Sequence, residues 1–276
     1  MPAGSLAPDE DLYLPVPGAR LRYRDTGAGL AVLLLHGWTL DLDMWESQAT
    51  ALAGSFRVIR MDRRGFGLSS GRPALTDDVA DVQALCRHLA LNRVAVVGMS
   101  QGSRVAARLA AIAPDLLSCF VLDGPPAGIV ADASAGEGDV PLTQFRALVR
   151  TGGMEAFRRA WTRHPLTQLR TADPGAHELL GRMIARYRGD DLQQAPAGAP
   201  DSWERPALES VSKPALVIGG AFDIETRRNA AEAIARKLLR GERAIVPNAG
   251  HLCNLDNPRA YNALLLRFLE QNATGF

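Results

Sequence analysis

The feature that most constrains the fold of this 276-residue chain is a short turn that holds a serine between two glycines. Gly98-Met99-Ser100-Gln101-Gly102 follows an apolar run at residues 94–97 and precedes an alanine- and leucine-rich stretch at residues 103–113. The run predicts a buried strand and the stretch predicts a helix. Small residues relieve the crowding of so sharp a turn, and the helix directs its positive end at the hydroxyl. We expect a nucleophilic serine here; an ordinary strand-to-helix turn is the alternative.

Apolar strands alternate with amphipathic helices on both sides of this turn. Strands are predicted at residues 12–16, 20–24, 30–35, 56–61, 94–97, 119–122, 215–218 and 243–246, and helices at residues 77–91, 100–113, 227–239 and 258–270. Thr76 is the expected N-cap of the first of these helices. Such alternation predicts an α/β fold with a mostly parallel sheet and right-handed crossovers.

The alternation stops after residue 124 and resumes near residue 210. The stretch between contains two or three amphipathic helices, around residues 142–150, 154–163 and 177–187, with a loop rich in alanine, glycine and proline at residues 195–200. We therefore predict a core domain formed by residues 1–124 and 210–276. Residues 125–209 are predicted to be a helical cap, or lid, over the edge of the sheet.

The predicted cap is rich in arginine. Between Pro141 and Arg188, nine arginines outnumber three acidic residues, Glu155, Asp173 and Glu178. Arginines that point inward favour an anionic substrate, because a guanidinium pairs well with a carboxylate. Arginines on a solvated helix surface are the competing interpretation.

Composition excludes several classes of partner. The net charge of +1 gives no electrostatic case for binding nucleic acid or an anionic membrane. Residues 1–10 lack the basic and apolar segments of a signal peptide, and no apolar run approaches the roughly 20 residues of a membrane span. We expect a cytoplasmic protein that is a monomer or a homodimer. The three cysteines, Cys86, Cys119 and Cys253, match no metal-binding spacing and are expected to be packed thiols.

A serine nucleophile needs a base, and the base needs an acid that orients it. His251 lies in a loop after the last predicted strand, and Asp223 lies in a loop after the preceding strand. Glu225 is the alternative acid, and a helix-capping role is the alternative for Asp223. The chain order Ser100, Asp223, His251 is the order expected for a triad on an open α/β sheet. The histidines interpreted as structural or solvated are His36, His88, His164 and His177.

An oxyanion intermediate needs two N–H donors close to the nucleophile. The backbone amide of Gln101 is one expected donor, because it follows the serine. The other is the amide of Trp38, since Gly37 allows a sharp turn after the predicted strand at residues 30–35. The residues predicted to line the substrate pocket are Trp38, Met99, Phe145 and Trp161. No metal ion or organic cofactor is required.

Together these segments resemble the α/β-hydrolase superfamily over nearly the whole chain. The matching segments are His36-Gly37-Trp38, the Asp-Arg-Arg-Gly-Phe-Gly-Leu-Ser sequence at residues 62–69, the Ser100 turn, residues 219–223 and Gly250-His251. The resemblance is closest to bacterial esterases, enol-lactonases and cofactor-free haloperoxidase or perhydrolase enzymes. It implies eight strands, a Ser-Asp-His triad and a helical cap after the sixth strand. Two positions depart from the pattern, since Arg227 stands where many relatives have proline and Ser103 where glycine is frequent.

The activity that this resemblance implies is hydrolysis of a small-molecule carboxylic ester or lactone through an acyl-enzyme. A serine at the nucleophile position argues against epoxide or haloalkane substrates. Three alternatives remain open from the sequence. The same triad could cleave a C–C bond in a dienoic ring-fission product, it could carry out perhydrolysis as a side activity, or the chain could be a ligand receptor with slow turnover.

Overall fold

An eight-stranded sheet runs through the computed structural model, which describes residues 10–129, 140–193 and 206–273. The strands are β1 (Leu12–Val16), β2 (Ala19–Thr26), β3 (Ala31–Leu35), β4 (Arg57–Met61), β5 (Val94–Met99), β6 (Leu117–Asp123), β7 (Ala215–Gly220) and β8 (Gly241–Val246). Their spatial order is β1-β2-β4-β3-β5-β6-β7-β8, in which β2 is antiparallel to β1 and β4 and the other neighbours are parallel. The predicted α/β class with eight mostly parallel strands is confirmed.

The central strands are continuous apolar runs because helices cover both of their faces. In β3 and β5, Leu33 pairs with Val96 and Leu35 with Gly98, so the two strands end side by side. All residues of β3, β5 and β6 are buried. This register brings the carboxyl ends of the three strands to one edge, where loops carry most of the polar residues described below.

The helices lie on the two faces of the sheet and in the connection between β6 and β7. They are α1 (Glu46–Leu52), α2 (Leu75–His88), α3 (Gln101–Ile112), α4 (Leu142–Trp161), α5 (Pro174–Arg186), α6 (Asp190–Gln193), α7 (Glu225–Lys237), α8 (Cys253–Asp256) and α9 (Pro258–Asn272). The prediction of Thr76 as a cap was wrong: α2 starts two residues earlier than predicted, after Ala74, so Thr76 lies within its first turn. In the part of the chain that the structure describes, no helix combines the length and apolarity needed to cross a membrane.

Helices α4, α5 and α6 form a helical insertion between β6 and β7. Gly153 interrupts α4 with φ 67° and ψ −176°, which explains why the sequence pattern divides there into two segments. Residues 130–139 and 194–205 of the predicted cap lie outside the described residues. The second of these segments includes the predicted loop at residues 195–200, and most of the N-terminal stretch is also outside the described residues.

The helical insertion is held on the core by charged side chains and by aromatic packing. Arg186 bonds Asp41 at 2.9 Å and Asp43 at 2.6 Å. Arg188 donates to the backbone oxygens of Gly67 and Ser69 at 3.1 and 3.0 Å. Rings from the insertion surround Trp38; they are Phe145, Phe157, Trp161 and Tyr187. The insertion is therefore fastened to the loops that follow β3 and β4.

Candidate active site

Ser100 sits in a strained turn between β5 and α3. Its backbone has φ 51° and ψ −110°, a conformation that residues other than glycine seldom adopt and that often marks functional sites. The flanking glycines are required, because a Cβ on Gly98 would lie 2.2 Å from the Gly102 oxygen and a Cβ on Gly102 would lie 2.5 Å from the Leu35 oxygen. The amide of Ser100 donates to the Asp123 oxygen at 2.7 Å, which ties the turn to β6.

Ser103, which departs from the family pattern, strengthens this turn. Its Oγ donates to the Gly98 oxygen at 2.7 Å and lies 3.0 Å from the Asp123 oxygen. The hydroxyl therefore links the start of α3 to the ends of β5 and β6. The serine that stands here in place of the more frequent glycine is thus a buried hydroxyl that ties three elements together.

His251 and Asp223 meet at the carboxyl ends of β8 and β7. The His251 Nδ1 lies 2.9 Å from the Asp223 Oδ2, and both side chains are almost fully buried. Glu225, the alternative acid, is exposed in the first turn of α7. Since a carboxylate at Nδ1 fixes the ring so that Nε2 can act as a base, Asp223 has the geometry of an orienting acid.

Ser100 and His251 line one pocket that is partly open to solvent. Its wall is otherwise mostly apolar; the lining residues are Gly37, Trp38, Thr39, Leu40, Met99, Val140, Trp161, Leu166, Thr167 and Leu252. Three of the four predicted pocket residues thus lie in the wall. Phe145 does not, because its ring is taken up in packing against Trp38, Phe157 and Trp161. That prediction is corrected.

The turn at residues 36–38 packs directly on the Ser100 turn. A Cβ on Gly37 would lie 2.7 Å from the Met99 Sδ and 3.3 Å from the Ser100 Cβ, so only glycine allows this close approach. The backbone of Trp38 and the start of α3 at Gln101 consequently flank Ser100. The indole of Trp38 donates to the Asp191 Oδ2 of the helical insertion at 2.7 Å.

His36 is a neutral structural side chain in this turn. Burial and the neighbouring Arg63 charge together lower its pKa to about 3, although the hydrogen bond to the Gly37 backbone acts in the opposite direction. The Arg63 amide donates to the His36 Nε2 at 2.9 Å, which leaves Nδ1 to donate to the Gly37 oxygen at 2.7 Å. The Arg63 guanidinium also donates to the Gln101 Oε1 at 2.8 Å. The segment at residues 62–69 therefore braces both turns beside Ser100.

Two residues that sequence reasoning missed lie behind the triad candidates. Asp123, at the end of β6, accepts a hydrogen bond from the Cys253 thiol at 3.1 Å. Burial raises the pKa of this carboxyl to about 7, and the negative charge of Asp223 adds to the rise, while hydrogen bonds from Cys253 and Tyr261 oppose it. The only signal in the sequence was a polar residue at the end of an apolar strand.

The second missed residue is Arg227, which reaches Ser100 from α7. Its Nη1 donates to the Ser100 Oγ at 3.3 Å and to the Gly124 oxygen at 2.9 Å. Among the described residues, Ser100 makes no hydrogen bond to His251. In active sites without substrate, the contact between nucleophile and base is often long. The sequence signal for Arg227 was that an arginine stands where many relatives have proline.

The arginines of the helical insertion do not reach the pocket wall, so far as described residues form it. Arg146 and Arg158 donate to backbone oxygens within the insertion, and Arg186 and Arg188 bind the core. The Arg170 guanidinium lies 4.3 Å from the ring centre of Phe222. The remaining four, Arg150, Arg159, Arg163 and Arg182, are exposed. These contacts favour the solvated and structural interpretation over recognition of an anion.

The other histidines and the cysteines have structural surroundings. His88 contacts the Tyr23 hydroxyl at 3.2 Å, His164 stacks on Trp161, and the exposed His177 bonds the Thr171 oxygen. All three cysteines are buried free thiols. The described residues include no group of three or more histidine, cysteine or acidic side chains that could hold a metal ion.

Comparison with known proteins identifies the fold. The family model of the alpha/beta hydrolase fold matches residues 31–258. The pimeloyl-[acyl-carrier protein] methyl ester esterase of Nitrosomonas europaea is 29% identical over 255 residues, covering 88% of this chain and 97% of that protein. A thermophilic esterase from Thermogutta terrifontis superposes with a TM-score of 0.80 at 29% identity, over 96% of this chain and all of that one. The enol-lactonase of Burkholderia xenovorans shares the fold, with a TM-score of 0.78 at 24% identity over 94% of this chain and all of that one.

Proposed function

Because the chain belongs to the alpha/beta-hydrolase family, whose model matches most of its length, we propose that it hydrolyses a carboxylic ester or lactone through an acyl-enzyme. The observation that carries the proposal is the 2.9 Å contact between His251 and Asp223 at a pocket that Ser100 also lines. The esterases among its relatives support the same reaction class. Ser100 is the proposed nucleophile, His251 the base and Asp223 the acid that orients it.

In the acylation step, the Ser100 Oγ attacks the carbonyl carbon while the His251 Nε2 takes the hydroxyl proton. The carbonyl electron pair moves to its oxygen, which becomes an oxyanion. When the intermediate collapses, the bond to the leaving oxygen breaks and His251 passes the proton to that oxygen. Asp223 holds the ring in the tautomer that this exchange needs and stabilises its positive charge.

In the deacylation step, water attacks the same carbon and gives a proton to His251. The second tetrahedral intermediate collapses by breaking its bond to the Ser100 Oγ. That oxygen receives the electron pair and takes the proton back from His251, so the resting enzyme and a carboxylic acid result. No group outside the chain and water is needed for either half of the cycle.

The proposed oxyanion donors are the backbone amides of Trp38 and Gln101. The close packing of Gly37 on Ser100 supports the first assignment, and the position of Gln101 at the start of α3 supports the second. A helix N-terminus adds a favourable dipole at this point. Preorganised donors matter because removing one costs about 3 to 4 kcal/mol of transition-state stabilisation in enzymes of this kind.

The pocket wall indicates an uncharged, apolar acyl group. Among the described lining residues, Thr39 and Thr167 contribute the hydroxyl groups other than that of Ser100, and no carboxylate, lysine or arginine is present. Trp161, Leu166 and Thr167 come from the helical insertion, so we propose that residues 125–209 act as the cap and set the acyl preference. Apolar walls with a few polar groups are typical of small-molecule sites.

The test is covalent labelling by a fluorophosphonate, with p-nitrophenyl butyrate turnover followed in the same sample. We expect one adduct, located at Ser100 by peptide mass spectrometry, with loss of turnover in proportion to labelling. The Ser100→Ala variant should fold normally, take no label and lose at least about 10⁴-fold in kcat, since the triad acts as a unit. An adduct elsewhere, or turnover retained by Ser100→Ala, would contradict the proposal.

A further inference from the structure

Arg227 contacts the reacting oxygen of the proposed mechanism, and neither the family pattern nor the pocket accounts for it. The side chain leaves the first turn of α7 and runs into the interior, where only 4% of it is exposed. Its Nη1 lies 3.3 Å from the Ser100 Oγ and 2.9 Å from the Gly124 oxygen. This places a guanidinium cation against the nucleophile in the resting site.

Arg227 is not among the described residues that line the substrate pocket, and those residues include no arginine. Its backbone partner Gly124 also lies close to the base, since a Cβ on Gly124 would be 2.8 Å from the His251 Cε1. Within the described residues, the guanidinium contacts the serine oxygen and a fixed backbone carbonyl.

Helix stability does not explain the residue. A cation in the first turn of a helix opposes the macrodipole, which favours acids such as Glu225 at that end. Taking a guanidinium out of water also costs free energy unless hydrogen bonds compensate. The position is therefore unfavourable for α7 alone, and the contact with Ser100 is one of the interactions that hold the side chain there.

A guanidinium can only donate hydrogen bonds, which constrains what the serine can do. With a lone pair of its oxygen held by Arg227, the Ser100 hydroxyl keeps its own proton available for the His251 Nε2. The 3.3 Å separation is longer than the usual N–H···O distance of about 2.7–3.2 Å, so the bond can shorten when the oxygen becomes negative. A bond that strengthens as charge develops lowers the barrier, because it stabilises the transition state more than the ground state.

We propose that Arg227 is a catalytic residue that stabilises negative charge on the Ser100 Oγ as the C–Oγ bond forms and breaks. The inference rests on the proposed function. In acylation, Oγ donates an electron pair to carbon and its proton passes to His251; in deacylation, the C–Oγ bond breaks, its pair returns to Oγ, and His251 gives the proton back. Arg227 remains protonated throughout and transfers nothing.

Pre-steady-state kinetics with p-nitrophenyl acetate test the proposal in Arg227→Gln, Arg227→Lys and the matched control Arg228→Gln, an exposed neighbour in the same helical turn. We expect Arg227→Gln to lose about 10²-fold in kcat, as removal of an oxyanion donor does, with KM changed less than about threefold. The fluorophosphonate should also label Ser100 at least about tenfold more slowly. The control should stay within about twofold of the wild type.

The lysine variant separates charge stabilisation from a purely structural tie. Lysine keeps the cation without the planar fork, so its kcat should exceed that of Arg227→Gln by about tenfold. Equal kcat values for the two variants, a glutamine variant within about threefold of the wild type, or a loss carried by KM alone would overturn the proposal. Circular dichroism and thermal unfolding establish that each variant is folded.

If Arg227→Gln does not fold, Arg227→Lys decides alone: a kcat about fivefold or more below wild type at unchanged KM supports the proposal, and a wild-type kcat or a change in KM alone overturns it. Failure of the proposed function is distinct from either result. In that case the wild type itself shows no Ser100 adduct and no turnover. If turnover requires Ser100 but does not change when Arg227 is replaced, only the proposed role of Arg227 is contradicted.

Discussion

The loops at the strand ends and the helical insertion hold their functional residues in different ways. Ser100, Asp223 and His251 follow buried parallel strands, and backbone bonds such as Ser100 N to Asp123 O fix their positions. The insertion, in contrast, reaches the core through side chains, among them Arg186 and Trp161. The main chain therefore holds the reacting groups rigidly. One wall of the pocket depends instead on side-chain contacts that single substitutions can weaken.

The largest effect that tests this comparison is expected at the acid of the strand-end loops. Asp223→Asn removes the charge that orients His251 and should lower kcat by about 10³- to 10⁴-fold with the fold intact. The matched control is Glu225→Gln, whose exposed side chain should leave kcat within about twofold. Both are measured as initial rates of p-nitrophenyl butyrate hydrolysis. A greater loss at Glu225 would show that the loop positions a different acid.

A second test concerns the effect of the buried Asp123 carboxyl, at the end of β6, on the free energy of unfolding. The folded-state pKa of Asp123 is raised to about 7, so the unfolded chain loses this proton at lower pH than the folded chain does. The free energy of unfolding therefore falls as pH rises from about 4 to 7 and stays lower above that range. Asp123→Asn removes this ionisation.

Relative to the wild type, Asp123→Asn should gain about 1–3 kcal/mol of stability at pH 8 and gain nothing at pH 4. Urea unfolding at the two pH values measures the difference. A change that is the same at both values would mean that Asp123 is not protonated in the folded protein near neutral pH, and that its thiol contact alone sets its contribution.

The smallest effect is expected in the insertion, at the link between Arg186 and the carboxylates of Asp41 and Asp43. About a third of the Arg186 side chain is exposed but the Asp41 carboxylate is buried, so loss of the pair should cost about 1–3 kcal/mol of folding stability. Arg186→Gln should raise KM about three- to fivefold with little change in kcat, because the wall moves and the reacting groups do not.

Arg182→Gln, on the same helix, is the control and should leave KM unchanged, since the partner of Arg182 in the described part of the chain is the exposed Glu178. Added salt should move the KM of the wild type toward that of Arg186→Gln. A loss in kcat rather than KM at Arg186 would break the distinction between the two regions, since the insertion would then hold the reacting groups as well.

The strand-end loops were also the region that the sequence predicted best. Short apolar strands, sharp turns at glycine and the order of Ser100, Asp223 and His251 are local patterns, and the structure brings the last two together as expected. Whether these residues carry out catalysis stays a prediction. Only small boundary shifts separate the predicted strands from the observed ones, because burial on both faces leaves a continuous apolar signal.

The sequence could not predict which distant residues a side chain contacts in the fold. Arg227 follows a helical pattern with charged neighbours, which indicates a solvated face. In the structure its side chain instead turns inward, to the oxygens of Ser100 and Gly124. The arginines of the insertion are the opposite case. Their charge suggested an anion-binding site, but their contacts are with the core, with the insertion itself or with solvent. Phe145 was assigned to the pocket by spacing alone. In each case the deciding contact is between residues far apart in the chain.

The hydrogen bond from the Trp38 indole to Asp191 has a consequence for engineering this protein. Tyr187 also bonds Asp191, so one carboxylate joins two aromatic residues that belong to different regions. The insertion is then not an exchangeable module. A chimera that receives this segment from another family member must also receive a compatible residue at position 38, and libraries that diversify acyl preference should vary Trp38, Tyr187 and Asp191 together.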